Sequence, residues 1–210
     1  MKHLIAWLVA ASLSWFPVPA ETQPGPFSKL ALNGETPAAY LARRESIARD
    51  FIEVASDANE TPVFEGADAR ARTALLLMSI ARFESGYDLL VDTGAVRGPA
   101  GEVCLLQVLV DARYVKGRGM ETAEGWTADE LVVDRKKCAR AALHKLRVSR
   151  AICSDAKHPL NAAKKALAGA DVFSIYTNGR CVEGSLHAKH RVGFATAWAS
   201  AHPAPSSSSS

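Results

Sequence analysis

Between Thr36 and Ala201 the apolar residues recur mainly at the three- and four-residue spacing of an α-helix. Thr36-Pro37 sets a hydroxyl cap before a proline at the first helical position, and Leu41, Ala48, Phe51, Ile52 and Ala55 then fall on one stripe, so the pattern predicts an amphipathic helix over 37–56. Further helices are predicted from Asp68 to Ser85, Asp129 to Arg150, Leu160 to Ala168 and Asp171 to Tyr176. A last one runs from Leu186 to Ala201, with Leu186, Phe194, Ala197, Trp198 and Ala201 inward. The stretch Tyr87–Gly125 is rich in glycine and turn residues and is where any strands must lie. Its best strand is Val103–Leu109, although Cys104-Leu-Leu-Gln-Val-Leu109 fits a short helix equally well. The expected fold is mainly α, with a small irregular or β lobe inserted after the second helix and a cleft between lobe and helices.

The ends of the chain read differently. Lys2 and His3 precede an apolar run from Leu4 to Trp15, and Pro17-Val-Pro-Ala20 follows, the form of a cleaved secretory signal over residues 1–20. That run is too short for a typical membrane span, and no later segment is apolar enough for stable membrane insertion. Residues 21–35 show no periodicity and read as a leader, and the Pro/Ser tail 203–210 has nothing to bury and reads as disordered. One domain, 36–202, remains, with no internal repeat.

Composition adds two points. Twenty-five Lys and Arg against 22 Asp and Glu leave only a slight positive excess, which suits an anionic polymer and does not call for nucleic acid. The four cysteines, Cys104, Cys138, Cys153 and Cys181, all lie beyond the signal, and an even count in an exported chain suggests two disulfides. Cys138 and Cys153 share one helical pattern, whose rise sets them about 22 Å apart, beyond disulfide reach. The favoured pairing is Cys104–Cys138 with Cys153–Cys181, and the alternative is Cys104–Cys153 with Cys138–Cys181. No Cys-x-x-Cys pair suggests zinc, and His187 and His190, three residues apart, have no acidic partner at a recognisable spacing. No metal or other cofactor is expected. A Gly-x-Ser-x-Gly elbow is also missing, which sets aside a serine hydrolase.

Glu84 is the residue whose position suggests chemistry. It ends a helix whose Leu77, Ile80 and Ala81 share its face, so its carboxylate projects from a buried surface at the negative end of the helix dipole. Both effects disfavour the charged form, and a carboxyl that keeps its proton near neutral pH is what a general acid needs to protonate a glycosidic oxygen. On position alone, Glu84 could equally fray into solvent where Gly86 stops the helix.

Three segments separate these readings. Phe83-Glu84-Ser85-Gly86-Tyr87, Cys104-Leu105-Leu106-Gln107-Val108 and Tyr176-Thr177-Asn178-Gly179, in that order, resemble the catalytic domain of the lytic transglycosylases, within the lysozyme-like superfamily. The family carries a Glu-Ser-x-Phe/Tyr-type element at a helix end, a Gly-Leu-Met-Gln-type element about twenty residues on, and an Ala-Tyr-Asn-Ala-Gly element late in the domain. The resemblance spans roughly 70–200. It implies a lysozyme-like α+β fold, with Glu84 as the single catalytic acid and base and Ser85 as its serine neighbour. It further implies that Gln107 lines the cleft and contacts sugar, that Tyr176 stands over the catalytic carboxylate, and that Asn178 lies among the substrate-binding residues.

The chain departs from that pattern in three places. Cys104 stands where the family has glycine, Thr177-Asn178 stands where it has Asn-Ala, and Asp92–Val103 lacks its usual Ser/Gly spacing. By resemblance the substrate is the glycan strand of peptidoglycan, broken at the MurNAc–GlcNAc β-1,4 bond to leave a 1,6-anhydromuramyl end without water. Glycosidases that hydrolyse use two carboxylates, and Asp88, Asp92 and Glu102 are near enough in sequence to supply a second. A lysozyme-type hydrolase is therefore one alternative. A non-catalytic lysozyme-like domain that binds glycan or a partner is the other. The expected location is periplasmic or extracellular.

Overall fold

The computed structural model describes residues 1–15, 34–110 and 125–205. Residues 16–20 of the segment read as a signal, most of the leader, residues 111–124 late in the Tyr87–Gly125 stretch and the end of the tail therefore lie outside the described residues. Eight α-helices are present among them: α1 (Lys2–Trp15), α2 (Pro37–Ser56), α3 (Ala69–Glu84), α4 (Leu89–Asp92), α5 (Ala128–Val133), α6 (Arg135–Ser154), α7 (Ser174–Asn178) and α8 (Leu186–Ala201). A 3-10 turn, Gly169–Phe173, leads into α7.

Helix α3 is the axis of the molecule. Ten of its residues, including the unbroken run Thr73–Ala81, are buried, as expected of a helix covered on every side. α1, α2 and α8 pack around it. α2 starts as its sequence predicts: the Thr36 hydroxyl accepts the Ala39 amide at 3.1 Å and Pro37 occupies the first turn. Its buried face carries an arginine among apolar residues. The Arg44 guanidinium lies 4.6 Å from the ring centres of both Tyr40 and Tyr87 and donates to the Tyr40 hydroxyl, and these contacts compensate its removal from water.

The segment read as an export signal forms α1, which lies against α2 and α3 with Leu8 and Ala11 fully buried. Trp7 Nε1 donates to the His202 carbonyl at 2.8 Å, tying α1 to the end of α8. No helix among the described residues is long and apolar enough to cross a membrane.

Several expectations need correction. The last helix turns Ala188, Arg191, Val192 and Ala195 inward, whereas of the predicted Leu186, Phe194, Ala197, Trp198 and Ala201 only Trp198 is even partly buried. The helix drawn over 129–150 is two helices, because Asp134 leaves the helical conformation (φ −133°, ψ 100°) and caps α6 by accepting the Lys136 and Lys137 amides. The segment 160–168 is not a helix. There the buried Asn161 amide donates to the carbonyls of Cys153, Asp155 and Lys165, while its oxygen accepts from the Ala163 amide, so the side chain replaces helical hydrogen bonds with a turn. The lobe expected to be irregular or β is irregular, because no β-strand forms among the described residues. Val103–Val108 closes on itself through one isolated bridge, with the two residues exchanging amide–carbonyl bonds at 3.0 and 2.9 Å.

The favoured disulfide pairing is present, Cys104–Cys138 and Cys153–Cys181. The first joins the Val103–Val108 turn to α6. The second joins the end of α6 to the segment between α7 and α8. Such bonds belong to an oxidising compartment. A buried ion network holds the remaining lobe: Asp92, at the end of α4, receives Arg135 of α6 at 2.7 Å and Arg43 of α2 at 3.2 Å. Gly94 lets the chain pass α5 closely, since a Cβ there would lie 2.1 Å from a Val132 methyl.

Candidate functional site

The buried run of α3 ends at Ala81 and the helix itself at Glu84, where the chain reverses at once. Ser85 caps the helix, its amide and hydroxyl both donating to the Ala81 carbonyl, and Gly86 and Tyr87 follow with φ of 60° and 59°. Tyr87 is fully buried and anchors the reversal by donating to the Met78 carbonyl at 2.7 Å. Glu84 thus sits at a fixed helix end, and Ser85 holds that end by its backbone contacts.

The carboxylate of Glu84 is largely buried and is bound by Arg191 of α8, with Nε at 2.8 Å and Nη2 at 2.7 Å from the same oxygen. The guanidinium is held in turn by the His187 carbonyl at 2.9 Å. Burial raises the Glu84 pKa above the ordinary carboxylate range, Arg191 opposes the rise, and the negative charge of Glu102 adds to it. The net direction is upward.

Tyr176, on α7, faces the same space. Burial lifts its pKa well above that of a free phenol, and the Glu84 charge lifts it further. Its hydroxyl donates to the Leu106 carbonyl at 2.5 Å, which fixes the Val103–Val108 turn against α7. The phenol therefore braces that turn, and the hydrogen bonds on the Glu84 carboxylate come from Arg191.

That turn carries Gln107 and follows Glu102. Its residues Cys104 and Gln107 have φ of 58° and 48°, a left-handed region that favours glycine. At Cys104 the disulfide to Cys138 holds a non-glycine residue in that region. Gln107 Nε2 donates to the Cys104 carbonyl at 3.1 Å. The oxygens of Glu102 and Gln107 converge above Gly98, where a Cβ would meet Glu102 Oε2 at 2.3 Å and Gln107 Oε1 at 2.6 Å.

Each of the three carboxylates near Glu84 in sequence has a partner of its own, and that of Glu102 is the Ala100 amide, which donates to Oε2 at 2.9 Å. Asp88 caps α4 through the Leu90 and Val91 amides, and Asp92 belongs to the buried ion network. Glu102 alone of these acts on Glu84 electrostatically. Asn178 points to the helix junction, where its side-chain oxygen accepts from the Thr177 and Ser185 hydroxyls, each at 2.7 Å. The structure brings Glu84, Gln107 and Tyr176 to one region and gives Ser85 and Asn178 bracing roles.

Two residues of the site escaped the sequence reading. Arg191 lies on the buried stripe of α8 with Ala188, Val192 and Ala195, and Lys145 lies on that of α6 with Ala141, Ala142, Leu146 and Ser149. A cation on an apolar stripe is a legible signal for a buried partner. Lys145 Nζ lies 5.8 Å from the Tyr176 ring centre and donates to the Leu109 carbonyl at 3.5 Å. Burial brings its pKa down to about 8, against the pull of Glu102 and Glu84.

Among the described residues, no group of three or more His, Cys, Asp or Glu side chains is placed to hold a metal ion. His190 instead stacks on Phe83, with ring centres 6.0 Å apart. No protein-family model, no curated protein and no solved structure matches the chain significantly.

Proposed function

We propose that the chain is an exported lytic transglycosylase of lysozyme-like fold that cuts the MurNAc–GlcNAc bond of peptidoglycan, with Glu84 as acid and then base. What supports the reading is the placement of one largely buried carboxyl, with its pKa raised, beside the turn that carries Gln107 and the helix that carries Tyr176. The two disulfides suit the exported setting.

Glu84 first gives its proton to the glycosidic oxygen, so the bond from the anomeric carbon breaks without expelling an alkoxide. The resulting carboxylate then takes the proton of the muramyl 6-hydroxyl as that oxygen closes on the anomeric carbon. One carboxyl thus serves both steps, and no water is consumed. Arg191 favours the charged form, so it stabilises the carboxylate that the first step leaves, lowers the fraction of Glu84 that starts protonated, and weakens the base of the second step. A bound strand that displaces water from Glu84 strengthens the desolvation that holds the proton.

Glu102 supports a second reading, hydrolysis, because it is a carboxylate whose charge reaches Glu84. Mass spectrometry of the soluble products from purified sacculi, treated with the wild-type chain and with Glu84→Gln, separates the possibilities. Anhydro-muropeptides that vanish in the variant are the expected result. Hydrated reducing ends would transfer the role of base to Glu102, and no product from oxidised, folded protein would leave a glycan-binding domain.

A further inference from the structure

A second concave surface lies away from Glu84, near the other end of α3. Arg72 and Glu84 stand twelve positions apart, which is about 18 Å of helix. The groove is open, has a volume of about 730 Å³, and runs between the 63–65 segment, the end of α6, the Gly169–Phe173 turn and the side of α8 formed by Lys189, Val192, Gly193 and Thr196. Its volume is in the range of small-molecule sites. The floor is made by buried Val63, Leu167, Val172, Phe173 and Val192. Phe64 stands edge-on to Phe173, with ring centres 6.2 Å apart. Gly193 and Lys189 form the α8 side, and a Cβ built on Gly193 meets nothing within 4 Å, so the wall is open at that point.

The rim is cationic. Arg150 is matched by Glu65 at 2.5 Å and also donates to the Val63 carbonyl. Arg72, stacked 4.5 Å from the Phe64 ring centre, has only a 3.7 Å contact with Asp68, whose side chain is half exposed and screened by water. Lys189 has no ion-pair partner among the described residues, and the groove's other ionic side chains are the three just named. An apolar floor offers a sugar chain few hydrogen-bond partners, whereas a hydrocarbon chain needs none. The two weakly compensated cations match one anionic head.

We propose that this groove binds a long-chain monocarboxylate, an amphiphile of the fatty-acid class, with its chain along the Leu167–Val192 floor and its carboxylate at Arg72 and Lys189. The site is independent of the chemistry assigned to Glu84, and neither variant below touches that residue.

Calorimetric titration of the full, oxidised chain with decanoate below its micelle threshold tests the proposal. Saturable one-to-one binding is expected, weaker by about tenfold or more for hexanoate, which leaves much of the floor bare. Decyltrimethylammonium carries the same chain with the opposite charge and should bind at least about tenfold more weakly. Arg72→Gln/Lys189→Gln should cause a comparable loss. Gly193→Trp, at an exposed helical position, should fill the groove and abolish binding while the helical circular dichroism is unchanged. Equal binding of the two head groups, decanoate binding unaffected by Gly193→Trp, or no saturable binding by the folded protein would each overturn it.

Discussion

The charge state of Glu84 depends on one neighbour. Arg191 stabilises the carboxylate and desolvation stabilises the acid, and the net result is a raised pKa. Removing the guanidinium leaves desolvation and the Glu102 charge, both of which favour the protonated form. Arg191→Met is therefore expected to raise the Glu84 pKa further, whereas Arg191→Lys, which keeps the charge but loses the paired contact, raises it less. Carboxyl carbon shifts followed by NMR across pH give this directly. The alkaline limb of activity on sacculi, where the acid loses its proton, should move to higher pH in the same order. Cys104 offers a second test, because its φ of 58° strains any side chain but not glycine. With Cys138→Ala as the common background, Cys104→Gly is expected to be more stable than Cys104→Ala by about 1 kcal/mol, measured by urea unfolding. The reverse order would mean that the turn relaxes once the disulfide is gone.

At the scale of elements, the most exposed weakness is the short helix α4, which depends on Asp92. Two arginines from different helices converge on this one buried carboxylate. Asp92→Asn would leave both cations in a space prepared for an anion, at an expected cost of about 3–5 kcal/mol in thermal or urea unfolding. A cost below about 1 kcal/mol would mean that water replaces the carboxylate freely. Elements were legible where their boundaries were written in cap residues. Thr36-Pro37 fixed the start of α2, and Ser185, which accepts the Ala188 amide at 3.1 Å, stands one residue before the predicted start at Leu186. Asp134 was equally legible as a cap, but the apolar spacing runs through it from Leu131 to Cys138 and hides the break. The 160–168 segment shows a different limit. Its composition suits a helix, and the deciding contacts run from one Asn161 side chain to the carbonyls of Cys153 and Asp155 upstream as well as to its own turn. Residues from four helices surround Glu84, and the ion pair 107 positions away in the chain leaves no periodic trace.

For the whole molecule, helix α1 has two descriptions that differ in their consequences. Its sequence reads as an export signal, and its position is that of a cover on α2 and α3, with Leu8 and Ala11 inaccessible to water. Burial of a leucine of this kind contributes about 1.5–3 kcal/mol. A chain beginning at Glu21 is expected to melt several degrees below the full chain, and equal melting temperatures would mean that α1 adds nothing to the fold. The fold class was legible as mainly α from periodicity alone, whereas the choice between an irregular and a β lobe was not, and it fell to one bridge because the Val103–Val108 turn closes on itself. The disulfides have a further consequence that lies in their order. Each cysteine bonds to its neighbour in the chain, so the loops 104–138 and 153–181 follow one another and neither encloses nor crosses the other. A chain entering an oxidising compartment amino end first would present Cys104 and then Cys138, with no competitor yet delivered, and only later Cys153 and Cys181. Directional entry would then act as the proofreader, so that pairing proceeds without an isomerase to undo mistakes.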